Sequence, residues 1–231
     1  RVPGSKTGSQ YSIAGGNRLS SRSRHPATTN MASKNIRILA LSGSLRADSS
    51  NSALLRAAAR LIPDNACLTL YAGLALLPPF NPDREAELYD TTAPGLRYRD
   101  ELDDAGLLEV RDLNELVRQS DGLLIACPEY ARGVPGAFKN ALDWLVGSDA
   151  FVRKPFVQFN ASPRASHAQA ALRLTLETMS GLFVEEASLS VPLLNRGLSP
   201  DEIVADSSLA EPIRQALNAF VARIENDAHP D

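Results

Sequence analysis

Residues 122–127, GLLIAC, form an unbroken apolar run, and a run of this kind constrains the fold more than any other feature of the chain. A strand with one face in water alternates apolar and polar residues, whereas a strand covered on both faces does not. IRILAL (36–41), ACLTLYA (66–72), PFVQFN (155–160) and FVEEASLSV (183–191) read as further strands. Between them lie helical patterns. One runs to about Ile62 with Leu54, Ala58, Leu61 and Ile62 on one face, and another covers 109–119 with Val110, Leu113, Leu116 and Val117 inward. A third spans Gly136 to about Val146, a fourth is marked by Ala168, Leu172, Leu176 and Met179, and the last by Leu209, Ile213, Leu217, Phe220 and Ile224. Five strands alternating with helices predict an α/β fold, a parallel sheet with helices on both faces in the five-strand doubly wound order. Ligands in such sheets bind beyond the carboxyl ends of the strands.

Composition narrows the function. The chain has 231 residues, enough for one large domain, and no apolar run long enough to cross a membrane. Cys67 and Cys127 make no disulfide framework, which suits a reducing, cytoplasmic setting. His25, His167 and His229 lie far apart, so no metal site is expected. Residues 1–30 carry five basic and no acidic side chains, which leaves about −8 on the remainder and argues against nucleic-acid binding by the folded part. Residues 1–34 are Ser-, Gly- and Arg-rich and read as a disordered leader or extension, with Met31 as the natural start; residues 35–227 form the folded domain. The segment 73–108, with Pro78, Pro79, Pro82 and Pro94, reads as a long irregular loop that carries function or an interface.

Three strand ends carry unusual chemistry. SGSLRADSSN (42–51) places four serines, Arg46 and Asn51 between a strand and a helix capped from Ser49, Ser50 or Asn51. Hydroxyl, guanidinium and helix N-terminal donors together match a phosphate monoester. Asp48 would repel that group unless it turns outward or pairs with Arg46. Neither G-x-G-x-x-G nor G-x-x-x-x-G-K-[ST] is present, which argues against a dinucleotide pyrophosphate at this turn and excludes a P-loop nucleotide site. In CPEYARGVPGAFKNALDWL (127–145), Pro128 stops the strand, and Gly133, Pro135 and Gly136 supply the dihedrals of a tight turn. A flat ligand there could bond the backbone and stack on Tyr130; a plain turn whose tyrosine covers the core is the alternative. NASPRASHAQAALR (160–173) brings Ser162 and Ser166 to a third strand end.

GSLRADSSN followed by PEYARGVPGAFKNALDW resembles the NADPH-dependent FMN reductase family, a flavodoxin-like group of FMN, quinone, azo and chromate reductases, over roughly Ile36 to Val191. The resemblance implies a flavodoxin-like fold and FMN and NADPH (or NADH) as cofactors. Ser44, Arg46, Ser49 and Asn51 would then hold the FMN phosphate. Pro128, Glu129 and Tyr130 would line the isoalloxazine through backbone contacts, and Ser162 would close the site. It also implies a homodimer or homotetramer with the flavin near the subunit boundary, and segment 78–98 is the candidate contact. The chain departs from the family pattern at Ala131 (usually Asn), Gly133 (usually Ser), Phe138 (usually Leu) and Ser166-His167 (commonly a Gly pair).

The expected activity is hydride transfer from NAD(P)H through bound FMN to a quinone, free flavin, azo compound or metal oxyanion, with no catalytic side chain required. A flavodoxin-type electron carrier and a non-catalytic module that has lost flavin are the alternatives. Cys127 reads as a buried strand-end residue, Lys139 and Asp143 as a surface pair, and His167 and Arg132 as solvated side chains.

Overall fold

The computed structural model describes residues 35–89, 98–99, 102, 104–193 and 195–228. The expected leader, His229 and residues 90–97 of the candidate contact segment lie outside them. In chain order the elements are β1 (Ile36–Ser42), α1 (Ser50–Leu61), β2 (Ala66–Leu70), α2 (Pro82–Leu88), α3 (Ala105–Gln119), β3 (Gly122–Ala126), α4 (Gly136–Val146), β4 (Pro155–Asn160), α5 (Ser166–Thr178), β5 (Leu182–Phe183), β6 (Leu189–Ser190), α6 (Pro200–Ala205) and α7 (Ser207–Ala228). The strands pair in parallel in the order β2-β1-β3-β4-β5, with β6 also on β4. This is the doubly wound order expected from the apolar runs.

Side chains alternate across the sheet into two cores. Ile36, Ile38, Ala40, Leu124, Ala126, Val157 and Phe159 pack against α1, α6 and α7. Leu39, Leu41, Leu123, Ile125 and Phe156 pack against α3, α4 and α5. Every residue of β3 and β4 is buried, which is why neither strand shows a polar alternation. Leu209, Ile213, Leu217, Phe220 and Ile224 of α7 all face the first core.

The fifth strand departs from expectation. Residues 183–191 do not form one strand; a 3-10 turn at Glu185–Ala187 separates β5 from β6. Ser188 occupies the gap. Its hydroxyl donates to Val184 O (3.1 Å) and accepts from Gln158 N (3.1 Å), so a side chain replaces one rung of the edge ladder. The two adjacent carboxylates, Glu185 and Glu186, are thereby left exposed at the sheet edge.

The segment after β2 is more ordered than its prolines suggest. It contains α2, started by Pro82 and capped by Asn81, whose side chain accepts from Asp83 N at 2.9 Å. Asn140 Nδ2 (2.9 Å) and Trp144 Nε1 (2.8 Å) both donate to Pro78 O, while Asn140 Oδ1 accepts from Phe80 N at 2.7 Å. The Phe80 ring meets Trp144 edge-on at 5.1 Å. Tyr89 and Tyr98 close the far end with stacked rings 5.4 Å apart. The Asn and Trp of KNALDW therefore hold this segment onto α4. Replacing Asn140 by Ala should lower the unfolding free energy by about 1–3 kcal/mol, through the orphaned Phe80 N–H and the weakened hold on Pro78. Urea denaturation measures the loss, and faster hydrogen exchange at the Phe80 amide locates it.

Candidate functional site

The site follows from the topology. From β1 the chain turns outward to β2, whereas β3 leads the other way to β4, so the loops after β1 and β3 part and leave a crevice. Gly43 N donates to Ala126 O at 2.9 Å, which joins the two loop roots. A Cβ on Gly43 would stand 2.6 Å from Cys127 Sγ, so only glycine permits this approach. The resulting cleft, about 240 Å³, is lined by Ser44, Arg46, Asp48, Ser49, Ser50, Asn51, Cys127, Pro128, Glu129, Tyr130, Asn160, Ala161, Ser162 and Ala165. All eight residues singled out from the sequence for cofactor binding are among them. A larger concavity of about 520 Å³ opens at the opposite end of the sheet, beside the C-terminal ends of α3 and α7. Its lining mixes Arg118, Arg153 and Lys154 with Asp121 and Asp227, away from the diverging loops.

On the first loop, Ser49 caps α1 and its hydroxyl oxygen accepts from Ser52 N at 3.4 Å. The N–H groups of Ser50 and Asn51, in the first turn, have no intrahelical acceptor. Ser44 Oγ accepts from Arg46 N at 3.3 Å, which leaves its own proton to donate. Arg46 is exposed and forms no ion pair among the described residues. Asp48 is exposed as well and makes no bridge to Arg46. Asn51 is 9 % exposed, and its Oδ1 is buried without a hydrogen-bond partner. The missing partner of that oxygen is a donor.

The second loop differs from expectation at its turn. Tyr130 and Gly133 exchange backbone hydrogen bonds (3.1 and 2.9 Å), and the two residues between them, Ala131 (φ 49°) and Arg132 (φ 62°), are left-handed. This is a two-residue turn of type I′, a geometry usually given to Asn-Gly. The permissive dihedrals therefore fall on Ala131 and Arg132, whereas Gly133 and Gly136 keep ordinary ones. Tyr130 N is consumed within the turn, which leaves the N–H groups of Glu129, Ala131 and Arg132 without an acceptor among the described residues. Tyr130 is 56 % exposed with its ring at the cleft, so it does not cover the core. At the start of α4, Pro135 supplies no side-chain cap, and the space beside Gly136 is open.

On the third loop, Asn160 Oδ1 accepts from Ser162 N at 3.0 Å, and Ser162 Oγ accepts from Arg164 N at 3.3 Å. Glu129 Oε2 reaches across from the second loop and accepts from Ala168 N at 2.9 Å. Asn160, Ala161 and Ala165 were not singled out from the sequence. The signal for Asn160 was present, a lone polar residue closing the run PFVQF at a carboxyl end. His167 and Arg132 do not line the cleft.

Burial pushes the Cys127 thiol up to about 12, so it stays protonated at neutral pH. Iodoacetamide at pH 8 should add one adduct to the folded protein, at exposed Cys67, and leave Cys127 intact by mass spectrometry. Left-handed Arg132 costs about 1–2 kcal/mol relative to glycine before glycine's entropy is counted. Arg132→Gly should therefore raise the unfolding free energy by a net of about 1 kcal/mol or less, read as a higher urea midpoint at an unchanged denaturant slope.

Comparison with known proteins places this geometry. The family described as NADPH-dependent FMN reductase matches residues 36–194. A quinone reductase of Pseudomonas putida is 31% identical over 186 residues, 78% of this chain and 88% of that protein. An NAD(P)H-dependent FMN reductase of Pseudomonas aeruginosa is 29% identical over 193 residues, 81% of this chain and 95% of that one. Among solved structures, FerB, a flavoenzyme NAD(P)H:(acceptor) oxidoreductase from Paracoccus denitrificans, aligns with a TM-score of 0.67 at 27% identity, over 83% of this chain and 98% of its own. The chain belongs to the NADPH-dependent FMN reductase family.

Proposed function

We propose that the chain binds FMN in the switch-point cleft and uses it to oxidise NAD(P)H. The observation that carries this reading is the convergence in one cleft of an open helix N-terminus, an Arg46 with no ion pair among the described residues and an orphaned Asn51 Oδ1. The residues fit the group. Ser44 and Ser49 hydroxyls, the Ser50 and Asn51 N–H groups and the Arg46 guanidinium are donors suited to a phosphate monoester. Asn51 Oδ1 is an acceptor, and it suits a ribityl hydroxyl rather than a phosphate oxygen, which adjusts the role expected from the sequence. The N–H group of Glu129 offers a donor to the polar edge of a flat ring, Tyr130 offers a stacking face, and Ser162 a hydroxyl on the far wall.

When bound, the flavin supplies hydride acceptance at N5 from nicotinamide C4 and delivery of the electrons to an acceptor. The chain's part is to orient and to polarise. The N-terminus of α4, which has no side-chain cap, follows directly on the second loop and would favour negative charge near it. No side chain of the cleft is positioned as a dedicated acid or base, and Cys127, held protonated, is not a nucleophile. Quinones and azo compounds are the acceptors in our reading, because relatives named quinone reductase and NADPH azoreductase are 31% and 28% identical to this chain over 186 and 140 residues; free flavin and metal oxyanions are further candidates. The cytoplasm and a homodimer or homotetramer complete the proposal. Among the described residues no helix is long and apolar enough to cross a membrane.

The test is a visible spectrum after FMN loading and removal of excess, followed by anaerobic NADPH. Retained yellow bands that bleach support the proposal; retained bands that persist indicate an electron carrier, and no retained flavin overturns it. Arg46→Ala should weaken FMN binding by about tenfold or more and leave riboflavin binding unchanged, because riboflavin lacks the phosphate. Fluorescence titration with both flavins reads the difference.

A further inference from the structure

We infer that Glu129 is a positioning residue that sets the width of the ligand cleft by tying the second loop to the start of α5, an inference that rests on the FMN reading above. Helix α5 lacks a cap of its own: Ala165 at the capping position has no side-chain acceptor. Its first-turn N–H groups therefore need an acceptor from elsewhere. The Ala168 N–H finds one 39 residues away in the chain, at Glu129 Oε2, 2.9 Å distant. The next residue repeats the connection in the opposite sense, because Gln169 Nε2 donates to Cys127 O at 3.0 Å. Gln169 O in turn accepts from Gln158 Nε2 at 3.2 Å, which secures the same turn of α5 to β4.

Two consecutive residues of α5 are thus held by two residues flanking Pro128. The third loop, 161–165, runs between β4 and this anchored turn, so its distance from Tyr130 depends on the tie. Position and charge both follow. Glu129 precedes the type I′ turn directly, and that turn fixes the direction in which its side chain leaves. Its carboxylate lies against the partial positive charge of a helix N-terminus. Released from α5, the same carboxylate would be free to turn into the cleft, beside the site proposed for an anionic ligand. An amide at this position keeps the acceptor without the charge, and a methyl removes both.

The test compares Glu129→Ala and Glu129→Gln with the unaltered chain. Hydrogen exchange of the Ala168 amide in flavin-free protein reads the tie itself, with circular dichroism confirming that each variant is folded. Riboflavin and FMN titrations read the cleft. In Glu129→Ala, Ala168 exchange should accelerate, and both flavins should bind on the order of tenfold more weakly. Loss for both ligands separates a widened ring slot from a damaged phosphate site, where only FMN would suffer. Glu129→Gln should recover most of the affinity and most of the protection. Unchanged Ala168 exchange in Glu129→Ala, unchanged riboflavin affinity, or a Gln variant as impaired as the Ala variant would each overturn the proposal. If the unaltered chain binds neither flavin, the FMN reading fails by itself, and Ala168 exchange still decides whether the tie exists.

Discussion

Everything at the ligand end of this molecule depends on the parallel pairing of β1 with β3. Leu41 lies opposite Ile125 and Ser42 opposite Ala126, and one further bond, Gly43 N to Ala126 O, carries the pairing past the last strand residue. Beyond that point the chain has to part, because β1 feeds a strand on one side and β3 a strand on the other. The crevice is the geometric consequence. Two helices, α1 and α4, follow the two diverging loops, and the orphan N–H groups at the start of α1 make the crevice attractive to electron-rich ligands. Gly43 matters for the same reason: any larger residue would push the first loop off Cys127 and shift α1 with it.

The two motifs at this crevice answer different pressures. In GSLRADSSN, the side chains of Ser44, Arg46, Ser49 and Asn51 face the cleft, and few protein contacts occupy them. The second motif divides at Pro135. Its first three residues, Pro128, Glu129 and Tyr130, supply the cleft wall, whereas the Asn and Trp of FKNALDW turn to the other side of α4 and hold Pro78 and Phe80. Lys139 and Asp143, on the outer surface of that helix, form an ion pair that is worth little in water. A motif that looks continuous in sequence therefore combines a ligand loop with a packing helix.

The strands were legible because double burial removes polar alternation, and the helices because one apolar face repeats every three to four residues. The eight residues expected at the cleft were legible through the resemblance that GSLRADSSN and PEYARGVPGAFKNALDW carry, and the doubly wound order brings their three loops, at the carboxyl ends of β1, β3 and β4, side by side. Asn160 escaped notice because within its strand it reads only as a final polar residue. The break in the fifth strand is not legible, since nothing in FVEEASLSV announces that Ser188 will replace a backbone rung. The turn chemistry is not legible either. Glycine is the usual sign of a left-handed residue, but here Ala131 and Arg132 take that conformation, held by the two bonds between Tyr130 and Gly133.

The sequence by itself determined the layer architecture, the strand order and which loops share an edge of the sheet, because these follow from burial and chain connectivity. Only the tertiary structure decided how those loops are held. The link from Glu129 to Ala168, the approach of Gly43 to Cys127 and the grip of Asn140 on Pro78 all join residues distant in sequence. Periodicity reports which face of an element is buried. It carries no information about the partner that a single polar atom finds across a gap, and that pairing exists only once the strands have set the loops beside one another.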